Sequence, residues 1–118
     1  LIGADCILLI ASILSDAEMS SFVNLAEELQ LDYLIEVHDE HELARVEHFQ
    51  NAMIGVNNRN LQTFEVDLQN SVRLKTLFSQ KNIFVAESGI KNQNDLNYLK
   101  NNNINVFLIG ESLMRNNF

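Results

Sequence analysis

Short runs of β-favouring apolar residues alternate along this 118-residue chain with stretches of helical periodicity, and few architectures accept that order. The strand-like runs are 6–10, 33–37, 53–56, 83–86 and 105–109. After the first run, Ser15-Asp16-Ala17-Glu18 has the spacing of a capping box. The helix it opens sets Met19, Phe22, Val23, Ala26 and Leu29 three and four residues apart, a single apolar stripe of the kind that covers a sheet. Asp39-Glu40-His41-Glu42 repeats the capping spacing before a helix expected to run to about residue 49, and Asn92 with Asp95 caps another. A further helix is expected over 68–78. Nearly continuous apolar strands joined by amphipathic helices imply a parallel sheet built from right-handed crossovers. No proline or low-complexity run divides the chain, so residues 1–118 read as one domain or part of one.

Alternation by itself fits a doubly wound sheet as well as a barrel. The dinucleotide fingerprint needs three spaced glycines in one strand-to-helix turn, and the four glycines here, Gly3, Gly55, Gly89 and Gly110, are scattered. Polar residues recur instead at the carboxyl ends of the strands: Glu36, Asn57 with Arg59, Glu87 with Ser88, and Glu111. In a barrel those ends open on one mouth. Two of them, Glu87-Ser88-Gly89-Ile90 and Ile109-Gly110-Glu111-Ser112, are glycine-containing turns on successive strands. Without a Cβ in the way, their backbone N–H groups can approach an anion, which suggests one shared phosphate site.

Charge narrows the partners. A formal net charge of −8 disfavours nucleic acid and anionic membrane surfaces, since little here would neutralise a row of phosphates. A small phosphorylated ligand, held by backbone N–H groups, stays compatible with that balance. Although 47% of residues are hydrophobic, no apolar run approaches the roughly 18 residues of a membrane span, and no secretory signal is apparent. The single cysteine, Cys6, lies in an apolar run, so no disulfide framework exists and a reducing, cytoplasmic location is expected. His38 and His41 beside Glu36 offer only a faint metal pattern, because His41 falls within a capping box; neither a metal nor an organic cofactor is expected.

Five motifs in register carry a specific resemblance. The runs Gly3-Ala4-Asp5 with Ile7-Leu8-Leu9-Ile10, Leu34-Ile35-Glu36-Val37-His38, Ile54-Gly55-Val56-Asn57-Asn58-Arg59-Asn60-Leu61 with Thr63-Phe64, Glu87-Ser88-Gly89-Ile90, and Ile109-Gly110-Glu111-Ser112-Leu113-Met114-Arg115 look like indole-3-glycerol-phosphate synthase. The match in order and spacing covers nearly the whole chain. The resemblance implies the fourth to eighth strands of a (β/α)8 barrel, with the earlier strands and the family's N-terminal helical extension outside this chain.

It also implies a chemistry: a carboxy-lyase that closes the indole ring of 1-(2-carboxyphenylamino)-1-deoxyribulose 5-phosphate with loss of carbon dioxide and water. Such a reaction needs an acid, a base and groups that hold the changing charge. By resemblance, Glu36 is the general acid or base, Asn57 hydrogen-bonds the substrate hydroxyls, and Glu87 supports charge in the intermediate. Arg59 orders the mouth. Ser88, Gly89, Gly110 and Glu111 form the phosphate turns, and Leu8 and Ile10 line the pocket for the aromatic ring.

Two departures stand out. The family's essential lysines have no counterpart, since Lys75, Lys81 and Lys100 fall on helices or connections and Lys91 lies beyond the phosphate turn; the chain alone is therefore expected to lack useful turnover. Asn60 also stands where the family usually has aspartate. The competing reading is a non-catalytic half-barrel that binds a phosphorylated metabolite or self-associates through exposed sheet edges. A neighbouring phosphate-binding isomerase barrel would fit the glycine turns but not the run from Ile54 to Phe64.

Overall fold

The computed structural model describes residues 6–58, 68–78, 81–87, 92–104 and 106–107. In chain order they form β1 (Cys6–Ile10), α1 (Asp16–Glu28), β2 (Asp32–Val37), α2 (Glu40–Val46), β3 (Met53–Val56), α3 (Gln69–Leu77), β4 (Phe84–Ala86), α4 (Gln93–Asn101) and β5 (Val106–Phe107).

All five strands are parallel, and their order in the sheet is their order in the sequence, β1-β2-β3-β4-β5. A doubly wound sheet reverses direction partway and puts helices on both faces. Here the winding never reverses. This is the course of a (β/α)8 barrel, and the described residues form an arc of one.

Helices α1, α2 and α4 start where a side chain can satisfy their first free amides, while α3 begins after Leu68 with no side-chain cap. Ser15 accepts from Glu18 N while Glu18 accepts from Ser15 N, so the capping box of α1 is complete. Asp39 accepts from Glu42 N and Asn92 from Asp95 N at the starts of α2 and α4. The hydrophobic core then forms on one side of the sheet. Leu9, Ile35, Val37, Ile54, Val56, Phe84 and Ala86 of the strands meet Met19, Val23 and Ala26 of α1, Leu43 and Val46 of α2, Leu74 of α3 and Leu99 of α4. Each such large side chain contributes about 1.5–3 kcal/mol when fully buried.

Two expectations change. Helix α2 stops at Val46 rather than near residue 49, and the chain turns through Phe49 N→Val46 O and Ala52 N→Phe49 O. Asn82, just ahead of β4, fixes that turn by donating through Nδ2 to Phe49 O at 2.9 Å and Ala52 O at 2.7 Å. A longer helix would have kept those carbonyls. His48 lies in this turn, with its ring centroid 4.0 Å from that of Phe49. On α1, Met19, Val23 and Ala26 are buried, but Phe22 and Leu29 are 44% and 58% exposed, because they sit to the side of the strip that touches β1 and β2. The first strand lies at the margin of the sheet, so no further unit covers that flank among the described residues.

Candidate active site

Strand pleating sends alternate side chains to opposite faces. With Ile35 and Val37 facing the helices, Leu34 and Glu36 must face the other way. Register extends that second face: Leu8 and Ile10 pair with Leu34 and Glu36, Gly55 pairs with Glu36, and Val85 pairs with Gly55. Leu8, Ile10, Leu34, Glu36, Gly55 and Val85 therefore line what would be the inside of the barrel. Asn57 and Glu87, each two residues further along its strand, continue the same rows. Their amides prolong the ladder, Asn57 N to Val37 O at 3.0 Å and Glu87 N to Val56 O at 3.1 Å. Rigid backbone thus carries Glu36, Asn57 and Glu87 to the carboxyl ends of three neighbouring strands.

Gly55 makes room between them. A Cβ at this position would lie 2.5 Å from Leu34 Cδ2 and closer still to Glu87 Oε2, so any side chain here would force the carboxyl aside. Glu87 leans across that gap, and the Glu36 carboxyl is its close charged neighbour. Burial first, then the charge of Glu36, push the Glu87 carboxyl up to about 8. Two close carboxylates cannot both ionise cheaply, so the pair retains a proton at neutral pH. Glu87 Oε2 lies against Gly55, buried and without a hydrogen-bond partner among the described residues.

A histidine stands beside Glu36. His38 Nε2 is 3.9 Å from Glu36 Oε2, with the two side chains only 14% and 13% exposed. Glu42 grips the residue twice, accepting from His38 N at 2.8 Å and lying 3.2 Å from Nδ1 through the same oxygen. Asn70 Nδ2 of α3 donates to His38 O at 2.9 Å. The expected capping box at Asp39 is thus shifted on one side: Asp39 caps Glu42 N, whereas the Glu42 carboxylate reaches back to His38 instead of Asp39.

Neighbouring loops are pinned as well. Ser71 Oγ donates to Asn58 Oδ1 at 2.7 Å, with both residues buried, which fixes the chain just after Asn57 against α3. Arg45 of α2 ties down the β1-to-α1 loop, donating to Ala11 O at 2.8 Å, Leu14 O at 2.7 Å and Asp16 Oδ1 at 2.8 Å.

Of the residues singled out from the sequence, Glu36, Asn57, Glu87, Leu8 and Ile10 fall on one face of the sheet, and Glu36 touches Glu87. Leu8 is 53% exposed there. Arg59, Ser88, Gly89, Gly110 and Glu111 lie outside the described residues, as do Gly3, Asn60 and Lys91. Lys75 and Lys100 are on α3 and α4, and Lys81 precedes β4. Sequence reasoning missed two contributors. Gly55 was open to recognition as a glycine in mid-strand on the inward row. His38 was noticed only as a metal candidate, while its four-residue spacing to Glu42 was the better signal.

Comparison with known proteins gives a consistent result. The family model described as indole-3-glycerol phosphate synthase matches residues 1–118. The chain is similar to the indole-3-glycerol phosphate synthase of Lachnoclostridium phytofermentans, 46% identical over 98% of this chain and 42% of that protein. It is likewise similar to those of Acetivibrio thermocellus, 49% identical over 97% of this chain and 44% of the relative, and Legionella pneumophila strain Lens, 44% identical with the same coverage. The chain spans less than half the length of the curated relatives it matches.

Proposed function

This chain belongs to the indole-3-glycerol phosphate synthase family, and we propose that it supplies the acid–base half of an active site that closes the indole ring of 1-(2-carboxyphenylamino)-1-deoxyribulose 5-phosphate. The observation that carries this reading is the Glu36–Glu87 carboxyl pair, brought together where Gly55 leaves room at the mouth end of the sheet. Ring closure requires a proton for the substrate carbonyl as the aromatic carbon attacks it, departure of the carboxyl on that carbon as carbon dioxide, and then an acid for the departing hydroxyl with a base for the proton lost beside it. A pair that keeps one proton at neutral pH holds both capacities together.

In this reading Glu87 is the protonated member of the pair. Glu36 takes protons up as general base and returns them as acid. Asn57 hydrogen-bonds the substrate hydroxyls, Leu8 and Ile10 flank the aromatic ring, and Arg59 orders the mouth. Ser88, Gly89, Gly110 and Glu111 hold the phosphate through their turns. The family's lysines have no match in this sequence, so the chain by itself is expected not to turn over.

The test compares the native protein, as its source cell makes it, with the 118-residue chain. Both receive the carboxyphenylamino-deoxyribulose phosphate, and indole-3-glycerol phosphate is followed by its fluorescence. Turnover by the native protein and none by the chain is the expected result. A native protein of mass near 13.5 kDa with no turnover would sink the assignment. One observation favours a second reading, a half-barrel that binds a phosphorylated metabolite: the described lysines all lie on helices or connections rather than on the Glu36 face. Inorganic phosphate binding by such a small, inactive native protein, measured by calorimetry, would support it.

A further inference from the structure

The acid–base reading leaves one buried group unused. His38 Nε2 is shielded from solvent and, among the described residues, makes no hydrogen bond, yet it points toward the carboxylate of Glu36 at 3.9 Å. Nδ1 lies 3.2 Å from Glu42 Oε1. An ionised carboxylate only accepts, so Nδ1 must be the donor in that contact. A proton on Nε2 then sets a positive ring between two carboxylates, whereas a bare nitrogen would turn its lone pair on Glu36. The first arrangement is favourable and the second is repulsive.

The backbone is built to keep the ring there. Glu42 also accepts from His38 N at 2.8 Å, and Asn70 of α3 donates to His38 O, so both backbone groups and one ring nitrogen are held. Few freedoms remain. The charged and polar groups around the ring come from each element packed on it: Glu36 of β2, with Glu87 beyond it at the end of β4; Glu42 of α2; and Asn70 of α3. The other charges of that helix start are engaged elsewhere, Asp39 as the cap of Glu42 N and Glu40 with Arg73.

The geometry points to His38 as a positioning residue for Glu36: clamped by Glu42, the ring aims Nε2 at the Glu36 carboxylate, fixes its orientation and supplies opposing charge, so that the shared proton stays on Glu87. This inference rests on the acid–base reading for its catalytic consequence but not for the pairing itself. The carboxyl pair is symmetrical in chemistry, and a cationic neighbour on one member alone breaks that symmetry. The protonation that burial and Glu36 impose on Glu87 agrees with this order.

The test uses the native protein with His38→Ala and His38→Asn. Asparagine can still donate to Glu42 but cannot carry charge, so it separates a hydrogen-bonded strut from a charge partner. Both variants are expected to lose between about tenfold and a hundredfold in kcat, with KM changed by no more than about twofold. The acid limb of the kcat profile is expected to move to higher pH, because the carboxyl pair has lost a neighbouring positive charge. Full recovery of kcat and of the acid limb in His38→Asn would overturn the inference and leave His38 a structural tie. Should the native protein prove inactive, or His38→Ala fail to fold, the ring itself answers. The 15N resonances of His38 are expected to move on Glu36→Gln and on Glu42→Gln, in spectra whose backbone peaks otherwise hold. A ring indifferent to Glu36→Gln would overturn the pairing whatever the reaction.

Discussion

The two faces of this sheet are written in the same strands and obey opposite rules. Along β2, Ile35 and Val37 are fully buried against helices, while Leu34 and Glu36 between them face the barrel interior. On the outer face every strand residue of the core is apolar, and its burial is satisfied by contact alone. On the inner face apolar residues stop one position short of the mouth, and there Glu36, Asn57 and Glu87 take over. The outer face can exchange one methyl group for another at modest cost. The inner face cannot, since its groups act through distance, proton and charge. One face holds the strands still and the other uses that stillness.

The largest separation between them is expected from Glu36→Gln. An amide of the same shape leaves the core untouched and removes the acid–base group, so turnover of the native protein should fall by about 10²–10⁴ while its thermal midpoint stays close to that of the parent. A variant that kept its turnover would erase the functional distinction between the faces.

Ile54→Ala asks the converse. Ile54 is fully buried in the outer core, so its truncation should cost about 2–5 kcal/mol in denaturant unfolding. A loss well below that range would show that the outer layer is more loosely packed than its burial implies.

Glu87→Gln sharpens the comparison through pH. The Glu87 carboxyl is raised from the usual carboxylate range to about 8 in the folded protein. Between those limits the folded state holds a proton that the unfolded state releases, so its contribution to stability is complete at low pH and declines as pH rises toward about 8. Unfolding followed across pH 4 to 9 should show that decline in the parent and a flatter curve in Glu87→Gln. The same slope in both would place the proton elsewhere.

The smallest effect is expected at the edge of the outer layer. Ser15→Ala removes one partner of the capping box of α1 and should cost about 1 kcal/mol without altering turnover in the native protein. A substantial drop in turnover would mean that the start of α1 is coupled to the mouth, with the loop that Arg45 holds as the route.

Self-association belongs to the same contrast. Leu8 on the inner row and Phe22 and Leu29 of the outer layer are exposed at the flank of β1, which has no neighbour on its outer edge among the described residues. We propose that the isolated chain pairs through this flank, and a chain that stays monomeric at high concentration in size-exclusion measurements would refute it.

Much of this was readable before any coordinates, and the pattern of success is physical. Caps at Ser15, Asp39 and Asn92, strand–helix alternation and the inward placement of Glu36 depend on residues within a few positions of one another, and local hydrogen bonds with periods of 2 and 3.6 encode them. The family resemblance added the roles, since spacing along one sequence does not say that Glu36 and Glu87 meet. The end of α2 was misjudged because Asn82, distant in the chain, captures Phe49 O and Ala52 O. The exposure of Phe22 and Leu29 escaped for a related reason: periodicity marks an apolar stripe but not how wide a strip the sheet covers.

What the sequence by itself determined is therefore the parts: five apolar strands, the helices between them with the caps of α1, α2 and α4, and polar residues at the strand ends. Only the tertiary structure decided that the strands run in unreversed order, that Gly55 leaves space for one carboxyl to reach another, and that a histidine held by Glu42 faces the pair. Each of these depends on register between segments brought together by loop closure and packing, and the free energy that fixes register is shared across the whole sheet rather than carried by any one stretch of residues.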